Sequence, residues 1–237
     1  MNYKTPAAPP VVIRAFTAGL GNYVDPGTPL WSLLLKKSVA LKWWSLDLFK
    51  IGKFDMTPST ITDDLVITTG WRFTAADGDY YGGCHVGSVT LDSPPILTGF
   101  SDDVRILTFM DSLEQLKALS VASSYQFELR MLRIAWLHFD AFWMRTGDAS
   151  KDIVIPCAGF VEGPPNHLDL MYPYPVQDFL TAIWPCVKRA YYKQEHHEKA
   201  KTEALAKPSG ERAKDAAREQ KESAQRIIDA ETPPPRL

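Results

Sequence analysis

Residues 125–160 read YQFELRMLRIAWLHFDAFWMRTGDASKDIVIPCAGF, and their pattern decides the fold. Phe127, Leu129, Met131, Ala135, Leu137, Phe139, Ala141 and Trp143 fall on alternate positions, interrupted only by Arg133. A period of two is the mark of a strand with one face against a core. The opposite parity carries Glu128 and Arg130 at one end and His138 and Asp140 at the other. Between them Leu132, Ile134 and Trp136 are apolar, which predicts cover on both faces of the middle. A polar loop, Thr146 to Lys151, leads to Ile153-Val154-Ile155, and Pro156 is read as the end of that run. The stretch therefore predicts one long strand folded back as a β-hairpin.

Upstream, Ile106, Phe109, Met110, Leu113 and Leu116 recur at helical spacing. Ser101 is the expected N-cap, with Asp102 and Asp103 suited to the positive end of the helix dipole. Downstream, prolines 164, 165, 173 and 175 interleave with Tyr172 and Tyr174 as a surface loop. A second helix, Val176 to Val187, places Phe179, Leu180, Ile183 and Trp184 together, with Pro185 expected to kink it. Earlier still, Leu65 to Thr69 followed by Trp71 and Phe73 reads as a strand, and Asp77 to Gly87 as a glycine-rich turn region. Val89 and Leu91 resume a short alternation before the Pro94-Pro95 break. Leu30 to Leu35 suits a short helix, and Val39, Leu41 and Trp43 alternate as a strand. Adjacent Trp43 and Trp44 cannot face one core, so one of them meets another layer or a partner.

These elements predict an α+β fold: a largely antiparallel sheet with two or three packed helices and a charged helical C-terminal extension. Residues 1–10, with Pro6, Pro9 and Pro10, form a flexible or extended N-terminal arm, and 11–187 form the globular domain. From 188 to 237 Lys, Glu, Ala, Gln and Arg dominate without an apolar stripe, which describes a solvated helix. Lys207-Pro208-Ser209-Gly210 breaks it before a second charged helix, Glu211 to Ala230.

A net charge of −2 among 237 residues argues against nucleic acid as a partner. Three widely spaced cysteines (Cys84, Cys157, Cys186) make neither a disulfide framework nor a zinc pattern, and read as free thiols. No long h-region follows the N-terminus and no apolar run is long enough to span a bilayer, so the expectation is a soluble, cytoplasmic protein.

Chemistry-bearing residues are sparse. Cys84-His85 has the composition of an activated thiol, but adjacent strand residues point to opposite faces and no helix follows to supply an oxyanion hole. His138-Phe139-Asp140 and His167-Leu168-Asp169 each offer an imidazole and a carboxylate at i and i+2. On a strand those positions share a face, so His138, Asp140, His167 and Asp169 are the metal candidates, with Asp77 and Asp79 as further oxygen ligands. His196 and His197 diverge on a helix and read as a solvated face. There is no phosphate-binding glycine loop and no Gly-x-Ser-x-Gly elbow.

The leading expectation is a non-catalytic interaction or scaffold component, with a protein partner or a second copy, no cofactor, and the C-terminal helix as a docking element. Trp43, Trp44, Tyr191, Tyr192, Ile227 and Ile228 are its expected contact residues, since aromatics favour interface centres and Ile227-Ile228 resembles a docking patch. The alternative is a hydrolase-like enzyme with a thiol or metal centre at Cys84/His85 or His138/Asp140. A third reading uses the doubly apolar hairpin as the wall of a pocket for an apolar ligand.

Overall fold

The computed structural model describes residues 3–88, 93–119, 125–158 and 168–206. It is an α+β fold built on one sheet. In chain order the elements are β1 (Tyr3–Lys4), α1 (Pro10–Leu20), α2 (Pro29–Lys37), β2 (Val39–Leu46) and α3 (Leu48–Ile51). Then come β3 (Val66–Asp77), β4 (Tyr80–Gly87), β5 (Ile96–Ser101) and α4 (Arg105–Ala118). The last are β6 (Phe127–Ile134), β7 (Phe139–Arg145), β8 (Ile153–Ala158), β9 (Tyr174–Pro175) and α5 (Val176–Ala206).

Across the sheet the strands run β5-β4-β3-β2-β6-β7-β8-β9, with β1 also on β6. Two antiparallel meanders, β2 to β5 and β6 to β9, are joined where β2 and β6 pair in parallel through Trp43↔Met131, Trp44↔Leu132 and Ser45↔Arg133. A parallel join needs a crossover, and α4 supplies it between β5 and β6.

The stretch 125–160 is a three-strand meander, and the expected single strand from Phe127 to Trp143 is broken. Ala135–Leu137 make a 3-10 turn and His138 takes a left-handed φ of 51°. Ile134 then pairs with Phe139, and the side-chain alternation changes face. Phe127, Leu129 and Met131 share a cluster with Phe142 and Met144, and Ala141 and Trp143 fall on the reverse. The expected cover on both faces is present: Met131, Leu132, Ile134, Phe142 and Trp143 are fully buried. Pro156 does not end β8, because the register shifts at Asp140/Ala141 opposite it and absorbs the missing donor.

Helices cover the two faces unequally. On one face α1 and α2 bury Val12, Phe16, Leu20, Leu33 and Leu34 against Trp71, Phe73, Cys84 and Val86 of β3 and β4. Phe16 stacks flat on Phe73 with ring centroids 4.1 Å apart. On the other face α4 seats Phe109, Leu113 and Leu116 on Leu41, Trp43, Phe127 and Leu129. Val176, Phe179, Leu180, Ile183 and Val187 of α5 are buried at helical spacing, with Phe179 6.0 Å from Phe139. Pro185 stays inside this helix on an exposed position.

Three local expectations need correction. Residues Tyr3–Lys4 of the expected flexible arm pair in parallel with β6, and Pro10 opens α1, where a missing N–H costs nothing. Helix α4 begins at Arg105, because Ser101 is spent in β5 opposite Gly83. The Asp103 carboxylate instead accepts the Arg105 backbone N–H at 2.8 Å. The Pro94-Pro95 break hides β5, which starts at the next residue. The expected Val89–Leu91 alternation lies outside the described residues.

By contact the chain divides into Met1–Ala190 and Tyr191–Leu237. Helix α5 is described to Ala206, and the expected break at 207–210 and second tail helix lie outside the described residues. Among the described residues no helix is long and apolar enough to cross a membrane.

Gly70 sits where β2 and β3 shift register, opposite Trp43, with φ of 124°, and a Cβ there would stand 2.2 Å from the Val86 carbonyl oxygen. Gly70→Ala is expected to lower the unfolding free energy by on the order of 3 kcal/mol, from strain plus clash. Gly27, at φ of 89° in open space, should lose only about 1 kcal/mol on the same change. Urea denaturation of the two variants checks the difference.

Candidate functional site

Strand register gathers a polar group on the α4 face of the sheet. Residues directly opposite in a ladder share a face, and Arg72 stands opposite Leu41 on one side and His85 on the other. Arg133, two residues beyond Met131, stands opposite Asp140. Leu41 and Met131 flank Trp43 in the same core cluster, so Trp43, Arg72, His85, Arg133 and Asp140 face one way.

The Trp43 indole is the centre of this basin. The Arg72 guanidinium carbon lies 5.1 Å from its ring centroid and that of Arg133 lies 5.9 Å away, within reach of cation–π attraction. Phe109 of α4 supports the ring from 6.5 Å. Gly83 leaves room for Arg72, since a Cβ there would come within 3.1 Å of Nε. On the neighbouring strand Gly99, opposite His85, has nothing within 4 Å of where its Cβ would be.

Charges here are incompletely matched. Arg133 Nε is 3.9 Å from Asp140 Oδ1, too far for a hydrogen bond, and Oδ1 is buried with no hydrogen-bond partner among the described residues. Trp43 Nε1 is likewise buried and unbonded among the described residues. Arg72 makes no hydrogen bond or ion pair with any described residue. Burial makes its charged form less favourable, and Asp140 opposes that effect. Burial also holds the Asp140 carboxyl above its usual range, against Arg133, Arg72 and Arg105. His85 is pushed below its usual value by burial, which prevails over an opposing hydrogen bond with the Thr69 backbone, with Arg72 and Arg133 adding smaller downward pulls. Its Nδ1 lies 2.8 Å from Thr98 Oγ1. At the rim Arg105 is satisfied internally by Asp103 at 2.8 Å, which drives the Asp103 carboxyl down to about 2.

The thiols near this group are not activated. Cys84 faces away from His85, inside the apolar cluster beneath α1 and α2, and burial pushes its thiol up to about 12 against a smaller pull from Arg72. A thiol so held is no nucleophile, and the Cys84–His85 pairing is not formed. Cys157, whose Sγ lies 3.4 Å from the Asp140 backbone oxygen, is also pushed well up by burial.

The i, i+2 argument for His138 and Asp140 fails because His138 is the exposed left-handed residue before β7, whereas Asp140 lies within the strand. His167 lies outside the described residues. Asp169 is exposed, and its N–H donates to the Tyr174 hydroxyl. Asp77 pairs with Lys37 at 2.6 Å, and Asp79 occupies the two-residue turn after Gly78. Among the described residues no three His, Cys, Asp or Glu side chains converge as a metal site. His196 and His197 are exposed on α5.

Of the expected contact residues, Trp43 is only 3% exposed and belongs to the protein's own core, so it offers a partner no open ring. Trp44 points to the reverse face, half-buried, edge-on to Trp143 at 6.5 Å. Lys42 and Arg130 lie over the Trp44 ring at 4.5 and 4.7 Å. Tyr191 and Tyr192 meet edge-to-face at 5.7 Å, with Tyr192 half exposed. Ile227 and Ile228 lie outside the described residues. The apolar wall expected to hold a ligand is occupied by α4 on one face and, at Phe139, by α5 on the other.

Arg72 went unnoticed in the sequence because Trp71 and Phe73 flank it. Arg133 left a trace as the one charge in the alternating apolar set. Two measurements follow. Cys84 and Cys157 are expected to resist iodoacetamide at about pH 8 in the folded protein and to react once it is denatured, as read by peptide mass mapping. For Asp140, a raised folded pKa means the native state keeps a proton that the unfolded chain releases. Wild-type stability therefore falls as pH rises from the ordinary carboxyl value through the raised one. Asp140→Asn has no such titration, so its stability relative to wild type should climb across that window and then level off, measured by urea denaturation between about pH 3 and pH 8. Compared with known proteins, the chain matches no family model, no curated protein and no solved structure.

Proposed function

We propose that this chain is a non-catalytic interaction component of a larger protein assembly and that the basin around Trp43 is its principal contact surface. The observation that carries the reading is Arg72: a guanidinium partly withdrawn from water, resting on a buried indole, with no described counter-ion in bonding range. Arginine is enriched at the energetic centres of interfaces, and here the buried indole supports it from below. The reactive alternatives on the same sheet are disabled by burial, which favours holding a partner over turning over a substrate. The helix beyond Ala190 serves as a second docking element. It is rich in Lys and Glu from Lys193 to Glu203 and exposes Tyr192 near its start.

The test compares tagged full-length wild type with the Arg72→Glu/Arg133→Glu double variant, recovered from source cells and analysed by quantitative mass spectrometry and native mass. One polypeptide near equimolar with the wild type, reduced about tenfold or more in a variant that keeps its circular dichroism and Tm, is the expected result. Two inert monomers, or the same companions on both proteins, would overturn the proposal.

A further inference from the structure

The geometry points to a specific chemistry for the occupant: we infer that the basin receives the carboxylate of an acidic side chain, Asp or Glu, presented by a protein partner. The inference rests on the interaction reading above and adds the chemical class.

Charge selects it first. Arg72 and Arg133 contribute +2 and Asp140 contributes −1, and Arg105 and Asp103 cancel each other at the rim, leaving +1. His85 adds nothing near neutral pH, since its surroundings disfavour the imidazolium. One monoanion neutralises this set. A phosphate dianion would overshoot and crowd Asp140 with like charge. A polyphosphate strand has little to hold, as the whole chain carries a net −2.

Shape selects it next. A guanidinium offers paired parallel N–H donors that match a carboxylate, and Arg72 has none of its donors engaged by described residues. Space for an incoming side chain exists on β5, where Gly99 has nothing within 4 Å of its Cβ position, whereas the place over Gly83 is taken by Arg72 itself and Ile106. Arg133 has 45% of its side chain exposed, so its guanidinium can be reached from solvent beside the buried Trp43. The Arg133–Asp140 ion pair is long, 3.9 Å between Nε and Oδ1, and carries no hydrogen bond.

One rival belongs to the chain itself. Glu162 follows Ala158, the β8 residue paired with Asp140, by four positions, and lies outside the described residues.

The experiment is calorimetric titration of the full chain at constant ionic strength with an acetylated, amidated hexaglutamate peptide. Hexaglutamine, free glutarate and inorganic phosphate are titrated in parallel. The expected result is measurable hexaglutamate binding that weakens about tenfold in Arg133→Gln and in Arg72→Gln, with hexaglutamine inert. Phosphate and glutarate should both bind more weakly than the peptide. Arg133→Gln is the safer variant because its side chain is largely outside the core, so a folding failure of Arg72→Gln leaves the test intact.

Hexaglutamate that fails to bind at ~10 mM, or binds both variants as it binds wild type, overturns the inference. Phosphate as tight as the peptide overturns the choice of anion, and glutarate as tight overturns the protein source. A tenfold gain for the peptide in Glu162→Gln shows the chain filling its own basin, and also overturns it. If a source-cell companion depends on Arg72 and Arg133 but hexaglutamate does not, the assembly reading stands and the carboxylate falls.

Discussion

The sheet depends on a short parallel join. Three residue pairs between β2 and β6 are the ladder that turns two separate meanders into one surface. Everything polar at the candidate site descends from it. Arg72 comes from the first meander, Arg133 and Asp140 from the second, and Trp43 from the strand at the seam. Helix α4 is compelled to cross this seam because it is the connection that makes a parallel join possible. Its Phe109 lands on Trp43 and on Phe142, one from each meander, and welds the two ladders on that face.

The reverse face carries a second arginine–tryptophan cluster. There Arg130 lies over Trp44 and Trp143, and Arg145 also lies over Trp143. Both arginines are held by carboxylates: Arg130 by Glu128 at 2.6 Å and Asp63 at 3.5 Å, and Arg145 by Asp63. Arg145 is expected to hold the Asp63 carboxyl below its usual range. Trp143 Nε1 donates to the buried Asp152 carboxylate at 2.9 Å. On the α4 face two arginines share one carboxylate with no hydrogen bond to it. Trp43 Nε1 has no acceptor among the described residues, and on the reverse face Trp44 Nε1 and Arg130 Nη1 likewise have no partner among them. The two clusters have similar composition and differ in their carboxylates: Glu128 and Asp63 lie in ion-pair range of the arginines on the reverse face, and Asp140 lies in range of Arg133 on the α4 face.

Much of this architecture was legible in the sequence wherever local pattern and tertiary environment agreed. The helix carrying Phe109, Leu113 and Leu116, the buried set of α5 and the assignment of Trp43 and Trp44 to different layers all rest on periodicity that the fold preserves. The break at Ala135–His138 was invisible because no glycine or proline marks it, and a histidine takes the left-handed position usually left to glycine. The turn changes parity without disturbing the run of apolar residues, so odd positions stay greasy while their faces exchange. Arg72 was masked for a related reason. A strand covered on both faces reads as apolar throughout, and a single charge between Trp71 and Phe73 carries no local signal of where its side chain will be trapped.

The seam also sets an order of assembly. Each meander closes through neighbours in sequence, so its hairpins can nucleate early and independently. The β2–β6 contact spans nearly ninety residues, and β1 must wait for a partner more than a hundred and twenty residues away. During synthesis the first half of the molecule therefore emerges with the edge of β2 uncovered until β6 has left the ribosome. The uncovered edge carries Trp43 and Trp44, which makes the nascent chain most prone to sticking to its neighbours before the second meander docks.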